Sequence, residues 1–165
     1  MTLYDTVVIG AGPGGMTAAM YAARSELKVL LLERGAPGGQ MNNTAEIENY
    51  PGYEKIMGPD LSMKMYEPLE GLGVENAYGI VQNVTVNADG IKQVITEDEV
   101  FEAKTVIIAT GAQHRHLNVP GEEEYGARGV SYCAVCDGAF FRNQDILVVG
   151  GGDSAVEEAL FLTRF

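Results

Sequence analysis

The strongest constraint on the fold is a glycine-rich turn at residues 10–15, which directly follows a short apolar run at residues 5–9. A β-branched apolar run of this kind is typical of a strand buried in a parallel sheet. Apolar residues at helical spacing follow the turn, and a second apolar run, residues 28–33, ends in the acid Glu33. Strand, glycine turn, helix, strand and acid, in that order, predict a Rossmann βαβ unit.

Each residue of this turn has a distinct physical task. Gly10 permits the tight turn, Gly12 lets the backbone approach a pyrophosphate, and Gly15 allows the helix to pack closely on the strand. Pro13 suits the first position of a helix, whose N-terminus offers N–H donors and a positive dipole. Glu33 suits hydrogen bonds to a ribose diol. The turn therefore predicts a dinucleotide site, the alternative being a turn that binds nothing.

A second glycine turn lies at residues 150–155, after a predicted strand at residues 145–149 and before a predicted helix at residues 153–165. Ala155 replaces the third glycine, a variant often seen at nicotinamide sites. The residue that would separate NADH from NADPH lies beyond Phe165. Because a lone strand and helix cannot bury both faces of a parallel sheet, we expect this unit to be incomplete and the sequence to be the first half of something longer.

Several further elements are predicted between the two turns. They are a long loop at residues 34–58 that is either functional or disordered, an amphipathic helix at 59–72, an antiparallel β-excursion at 79–103 around a turn at 87–90, a buried strand at 105–109 and a domain boundary near 113–120. The alternation of strands and helices predicts an α/β fold.

Both cysteines of the chain, Cys133 and Cys136, lie in a CxxC followed by Asp137. Tetrahedral zinc needs four ligands and no second pair exists, so we predict no metal and favour a redox dithiol. Beside a flavin and partly desolvated, Asp137 could hold a proton and deliver it to a departing thiolate. The alternative for Asp137 is a helix-capping or solvated acid.

Charge and composition limit the partners and the location. The formal charge of −12 repels phosphate backbones and anionic lipid, so we expect neither nucleic acid nor a membrane surface as a partner. No signal peptide is evident, which predicts a cytoplasmic location. We expect His114 and His116 to be solvated or linker residues, and the acidic run at residues 122–124 to be a solvated face.

The sequence resembles bacterial low-molecular-weight thioredoxin reductases along its whole length. The motifs that carry the resemblance occur in a specific order and spacing. They are residues 10–15, Gly38-Gly39-Gln40, Glu48-Asn49-Tyr50-Pro51-Gly52, Ala109-Thr110-Gly111, residues 133–138 and residues 150–159. The CxxC-Asp-Gly motif inside the nicotinamide domain separates this family from its ferredoxin reductase relatives, which lack the CxxC.

The resemblance implies an oxidoreductase with two Rossmann-like three-layer domains, both incomplete here: an FAD domain at residues 1–114 and the start of an NADPH domain at 115–165. It implies that electrons pass from NADPH through FAD to the Cys133–Cys136 disulfide, with Cys136 nearer the flavin, Cys133 attacking thioredoxin and Asp137 the acid. Family members are homodimers whose nicotinamide domain rotates. The implied FAD ligands are Gly10, Gly12, Pro13, Gly14, Gly15, Glu33, Arg34, Gly39, Gln40, Asn49, Thr110 and Gly111, and the implied NADPH ligands are Gly150, Gly152, Asp153 and Ser154.

Family members continue for about as much chain again, and two alternatives to the implied reductase stay open. One is a truncated or proteolysed half-enzyme that holds FAD without turnover, with the missing half as a separate fragment. The other keeps the enzyme but replaces thioredoxin with a thioredoxin-like domain of a peroxide-reducing system.

Overall fold

The computed structural model describes residues 2–126 and 128–165, which divide into two compact units. The first unit extends to Ala112 and the second begins at Gln113. That these units are an FAD domain and an NADPH domain, with a boundary between residues 114 and 115, stays a prediction.

The first unit is a six-stranded sheet with helices. Its elements in chain order are β1 (Leu3–Ile9), α1 (Pro13–Arg24), β2 (Val29–Glu33), a 3₁₀ helix (Gly39–Asn43), α2 (Gly58–Gly71), β3 (Glu75–Tyr78), β4 (Val81–Val86), β5 (Lys92–Thr96) and β6 (Val100–Ile108). The strand order is β3-β2-β1-β6-β5-β4. Because β1 pairs in parallel with β2 and α1 connects them, the predicted βαβ unit is confirmed.

The predicted β-excursion is confirmed, but it does not end where we expected. Its last strand and the separate strand predicted at residues 105–109 form one continuous strand, β6. Residues 100–103 of β6 pair antiparallel with β5, and residues 102–108 pair parallel with β1. One strand can serve both partners because its two edges carry separate rows of hydrogen-bonding groups.

Two apolar clusters hold the sheet in place, one on each face. Along β2 the side chains alternate, so that Val29 and Leu31 belong to one cluster while Leu30 and Leu32 belong to the other. The first cluster includes Met16 and Ala19 of α1 and Leu69 of α2. The second consists of Tyr4, Val7, Ile9, Leu30, Leu32, Val94 and Ala103. The two clusters fix the carboxyl ends of β1 and β2 next to the start of α1.

The second unit contains α3 (Ala134–Asp137), a 3₁₀ helix (Gly138–Phe141) and α4 (Asp153–Leu162). The strand predicted at residues 145–149 is wrong: the backbone there is irregular, and Leu147 is 87% exposed. A strand needs a neighbour to complete its hydrogen bonds, and the described residues of this unit provide none. Helix α4 also ends three residues earlier than the predicted helix at 153–165.

Within the described residues, every helix is too short or too polar to span a bilayer.

Shortening Leu31 tests the packing of the sheet against α1 and α2. Leu31 is 1% exposed, so Leu31→Ala leaves a cavity and should lower the free energy of unfolding by about 2–5 kcal/mol. Leu27→Ala is the matched control: Leu27 is 44% exposed, and its truncation should change stability by no more than about 0.5 kcal/mol. Urea denaturation of both variants makes the comparison, and equal losses would contradict this account of the core.

Candidate functional site

The glycine turn of the first unit brings three pieces of backbone into close approach. Gly10 has φ +103°, and a Cβ on it would lie 2.4 Å from the carbonyl oxygen of Ala109. A Cβ on Gly15 would lie 1.8 Å from the carbonyl oxygen of Gly10. Only glycine fits either position, because any side chain would push α1 away from β1 and β6. The structure thus shows the tight turn and the close helix–strand packing predicted for these two glycines.

The opposite side of the turn is open. A Cβ on Gly12 or Gly14 would meet nothing within 4 Å. Gly12 is the N-cap of α1 and provides no side-chain hydrogen bond, and Pro13 is in the first turn. The first N–H groups of α1 therefore have no side-chain cap and can bind an acceptor from outside, and the dipole favours an anion. The shape and the donors of this turn fit a pyrophosphate.

Glu33, at the end of β2, holds the turn by backbone hydrogen bonds. Its Oε2 accepts from the N–H of Ala11 at 2.7 Å, and its Oε1 accepts from the N–H groups of Arg34 at 2.8 Å and Gly35 at 3.2 Å. A carboxylate has about four lone-pair sites, so acceptor capacity remains for a ligand hydroxyl. The side chain of Glu33 is therefore already positioned beside the open turn.

The loop after β2 returns to the same turn. The N–H of Gly38 donates to the carbonyl oxygen of Ala11 at 2.8 Å, and a Cβ on Gly39 would be 3.4 Å from Cα of Gly12. The Nε2 of Gln40 donates to the carbonyl oxygen of Ala112 at 3.2 Å. The structure thus brings Gly39 and Gln40 to the end of the sheet where Gly12 and Glu33 lie.

The remaining predicted flavin ligands are more dispersed. Thr110 and Gly111 follow β6 and are exposed, next to Ala109 beneath the turn. Arg34 is exposed directly after Glu33. Asn49 is also exposed, in the loop between the first 3₁₀ helix and α2, and no hydrogen bond among the described residues joins it to the turn.

The second glycine turn, in the second unit, also requires close approach, but to a side-chain methyl group rather than to backbone. Gly150 has φ +146°, and a Cβ on it would lie 2.8 Å from Cβ of Ala155. Gly151 and Gly152 have nothing within 4 Å of a built Cβ, and Gly152 is the N-cap of α4 without a side-chain bond. Asp153 is in the first turn of α4, and Ser154 is exposed beside it. The turn thus presents uncapped N–H groups together with a carboxylate.

Cys133 and Cys136 form a disulfide around the start of α3. Cys133 is the N-cap of α3, and its Sγ accepts from the N–H of Cys136 at 3.2 Å. Cys136 is exposed, and Cys133 is half-buried. With a sequence separation of three residues, the disulfide is closed within one helical turn.

Asp137 is half-buried at the end of α3, where its N–H donates to the carbonyl oxygen of Cys133 at 3.1 Å. Its carboxylate caps neither α3 nor the 3₁₀ helix that follows. Asp137 occupies the N-cap position of that 3₁₀ helix without a capping bond, so its side chain is not a helix cap, and the solvated-acid alternative stays a prediction.

Glu122 is a buried acid that the sequence interpretation missed. We expected a solvated face, but Glu122 is only 6% exposed. Its carboxylate accepts from the hydroxyl of Tyr132 and from the N–H groups of Leu117 at 2.9 Å and Asn118 at 2.7 Å. The Nδ1 of His116 lies 3.3 Å from Oε1. A carboxylate buried with this many donors holds the segment around residue 132 against the loop at residues 117–122.

The hydrogen bond between Glu122 and Tyr132 shifts the pKa values of the two side chains in opposite directions. The hydroxyl of Tyr132, with help from backbone N–H groups, lowers the pKa of Glu122 to about 2. The same bond raises the pKa of Tyr132 to about 12. Both histidines are exposed in an irregular segment, as predicted, and His114 also stacks on the ring of Tyr132 with centroids 3.5 Å apart. The Pro120-Gly121 pair was the signal available in the sequence, because it predicts a turn that returns the next residue to the preceding loop.

Comparison with known proteins places these features in a family. A family model described as pyridine nucleotide-disulphide oxidoreductase matches residues 4–165. The thioredoxin reductase of Listeria monocytogenes is 57% identical over 163 residues, which are 99% of this chain and 51% of that protein. The crystal structure of thioredoxin reductase from Streptococcus pyogenes is 70% identical with a TM-score of 0.90, covering 99% of this chain and 53% of that one. The Lactococcus lactis thioredoxin reductase structure is 78% identical with a TM-score of 0.69, covering 98% and 53%. The chain thus spans about half the length of these relatives.

Two alanine substitutions in α1 test the close approach at the first glycine turn. Gly15→Ala places a methyl group 1.8 Å from the carbonyl oxygen of Gly10, so overpacking should cost about 1–3 kcal/mol of unfolding free energy. Gly14→Ala meets open space on the same helix and should be neutral or stabilising by up to about 1 kcal/mol. Thermal and urea unfolding compare the two, and a Gly15→Ala variant as stable as the parent would refute the contact.

The buried carboxylate of Glu122 predicts a loss of stability in acid. Its pKa is lowered from 4.5 to about 2 on folding, so its contribution is present above pH 4.5 and disappears as the pH falls toward 2. The urea midpoint of the parent should therefore fall through this range more steeply than that of Glu122→Gln, which cannot titrate there. Glu123→Gln, an exposed neighbour, is the control and should follow the parent. Parallel curves for the parent and Glu122→Gln would exclude the effect.

Proposed function

Because the chain belongs to the pyridine nucleotide-disulphide oxidoreductase family, we propose that it carries the flavin site and the redox disulfide of a thioredoxin-disulfide reductase. The observation that carries the proposal is the Cys133–Cys136 disulfide, which closes a CxxC in a chain that is 57% identical to a thioredoxin reductase. Electrons would pass from NADPH through FAD to this disulfide and then to thioredoxin.

The first glycine turn is the proposed FAD site. The open space at Gly12, the uncapped start of α1 and the position of Gly39 beside Gly12 support it. Glu33 would accept hydrogen bonds from the ribose hydroxyls with the capacity that its backbone bonds leave free. The other proposed contacts come from Gly10, Pro13, Gly14, Gly15, Arg34, Gln40, Asn49, Thr110 and Gly111.

The second glycine turn is the proposed NADPH site. Gly150 and Gly152 leave the backbone open toward the uncapped start of α4, which suits a pyrophosphate. Asp153 would accept from ribose hydroxyls, because its negative charge disfavours direct contact with phosphate, and Ser154 would donate to the phosphate. When bound, NADPH would supply a hydride, and the flavin of FAD would accept it and pass two electrons on.

The chain's own chemistry is thiol–disulfide exchange. The disulfide would take up two electrons and two protons and become a dithiol, and Cys136 would be the sulfur nearer the flavin. The Cys133 thiolate attacks the disulfide of thioredoxin and forms a mixed disulfide. Cys136 then attacks Cys133, which releases reduced thioredoxin and re-forms the internal disulfide. Asp137, directly after Cys136, would give one proton to the dithiol and take it back. The homodimer and the cytoplasmic location remain predictions from the sequence.

The proposal is tested with purified protein that contains this sequence. Under anaerobic conditions, NADPH should bleach the bound flavin, and oxidised thioredoxin should restore its colour. Cys133→Ser and Cys136→Ser should each lower the rate of thioredoxin reduction by about 10³-fold or more, because each removes a sulfur that no other residue replaces.

Flavin bleaching by NADPH is the internal control, because it should survive in both serine variants. Thioredoxin reduction by a serine variant at the parent rate would show that the CxxC does not carry the electrons. A flavin that NADPH does not bleach would reject the cofactor assignment.

A further inference from the structure

Ser131 connects the acid Asp137 to the first cysteine. Its hydroxyl donates to Oδ2 of Asp137 at 2.5 Å and accepts from the N–H of Cys133 at 3.1 Å. Since the N–H of Asp137 donates to the carbonyl oxygen of Cys133, a closed set of hydrogen bonds joins these three residues.

The single hydroxyl proton of Ser131 has two possible acceptors. The carbonyl oxygen of Cys133 lies at 3.4 Å, against 2.5 Å for the carboxylate of Asp137. An O–H···O hydrogen bond spans about 2.5–3.0 Å, so Oδ2 of Asp137 lies within bonding distance and the carbonyl oxygen of Cys133 lies beyond it. The proton therefore belongs to the bond with Asp137.

Ser131 is also the only protein group that holds this carboxylate among the described residues. Every ion pair there involves another acid: Asp5, Glu46, Glu48, Glu75 or Glu122. The carboxylate of Asp137 makes no capping hydrogen bond to either short helix, and Oδ1 has no hydrogen bond to the described residues. With Oδ2 occupied by Ser131, Oδ1 is the oxygen that is free to carry a proton.

We propose that Ser131 is a positioning residue that fixes Oδ2 of Asp137, so that Oδ1 exchanges the proton with the dithiol. The inference rests on the proposed function, which makes Asp137 the acid. When a reductant adds two electrons to the Cys133–Cys136 disulfide, the sulfur–sulfur bond breaks and two thiolates form. One thiolate takes the proton from Oδ1, which leaves the Asp137 carboxylate still bonded to Ser131. When the disulfide re-forms, the proton returns to Oδ1.

The test uses the 165-residue chain, reduced with dithiothreitol, so it needs no cofactor. The rate of alkylation by iodoacetamide is measured against pH, and mass spectrometry of the peptides separates the two cysteines. A carboxylate held beside a thiol disfavours the thiolate, so Asp137→Asn should lower the pH of half-maximal alkylation by about one unit. Ser131→Ala, which frees the carboxylate to move, should lower it by about half a unit.

The double variant distinguishes positioning from a general structural role. If Ser131 acts through Asp137, then Ser131→Ala combined with Asp137→Asn should match Asp137→Asn alone. If Ser131 acts only through the N–H of Cys133, the double variant should shift further, and that would overturn the proposal. Ser131→Thr keeps the hydroxyl and should restore the parent profile. Ser25→Ala is the control, because that hydroxyl donates only to the carbonyl oxygen of Tyr21.

Two further outcomes keep this inference separate from the proposed function. A shifted profile for Asp137→Asn with an unshifted one for Ser131→Ala rejects the positioning role alone. An unshifted profile for Asp137→Asn rejects the acid itself, and this inference with it. If Ser131→Ala does not fold, as judged by circular dichroism, the isosteric pair Ser131→Thr and Ser131→Val provides the same comparison of hydroxyl against methyl.

Discussion

The first unit depends on one steric constraint: α1 starts where no side chain fits between it and the sheet. The contacts of Gly10 with Ala109 and of Gly15 with Gly10 place the helix start directly over the ends of β1 and β6. Once that placement is fixed, Glu33 at the end of β2 reaches the backbone of Ala11. The open turn with its free N–H donors thus results from the close packing of α1 on the sheet. The two apolar clusters below the turn hold these elements together.

Comparing the two glycine turns shows which position is indispensable. Gly150 takes the left-handed conformation, as Gly10 does, and in both turns a side chain at that first position would collide with a neighbour. The third position differs, since Gly15 faces backbone whereas Ala155 carries a methyl group that fills the equivalent space. Glycine is therefore required at the first position by the backbone conformation. At the third position, glycine is required only where the helix lies close to the backbone of the turn.

Local patterns were sufficient to predict the βαβ unit, the β-excursion and the paired cysteines, because periodicity and turn residues determine them over short distances. They were insufficient for β3, a strand of only four residues with no run of apolar or β-branched side chains, which is stabilised by its pairing with β2. For Glu122, the Pro120-Gly121 pair predicts a turn but not the burial of the carboxylate. Its burial requires donors from residues 117, 118 and 132, which only the folded chain brings together.

The irregular segment at residues 146–149 has a consequence for how copies of the chain behave together. Four consecutive β-branched or leucine side chains there are exposed, and an unpaired apolar segment is a template for intermolecular strand pairing. The formal charge of −12 opposes this association, because like-charged molecules repel over a distance that salt shortens. Self-association of the isolated chain should therefore depend on ionic strength: charge repulsion opposes it in dilute buffer, and concentrated salt screens that repulsion.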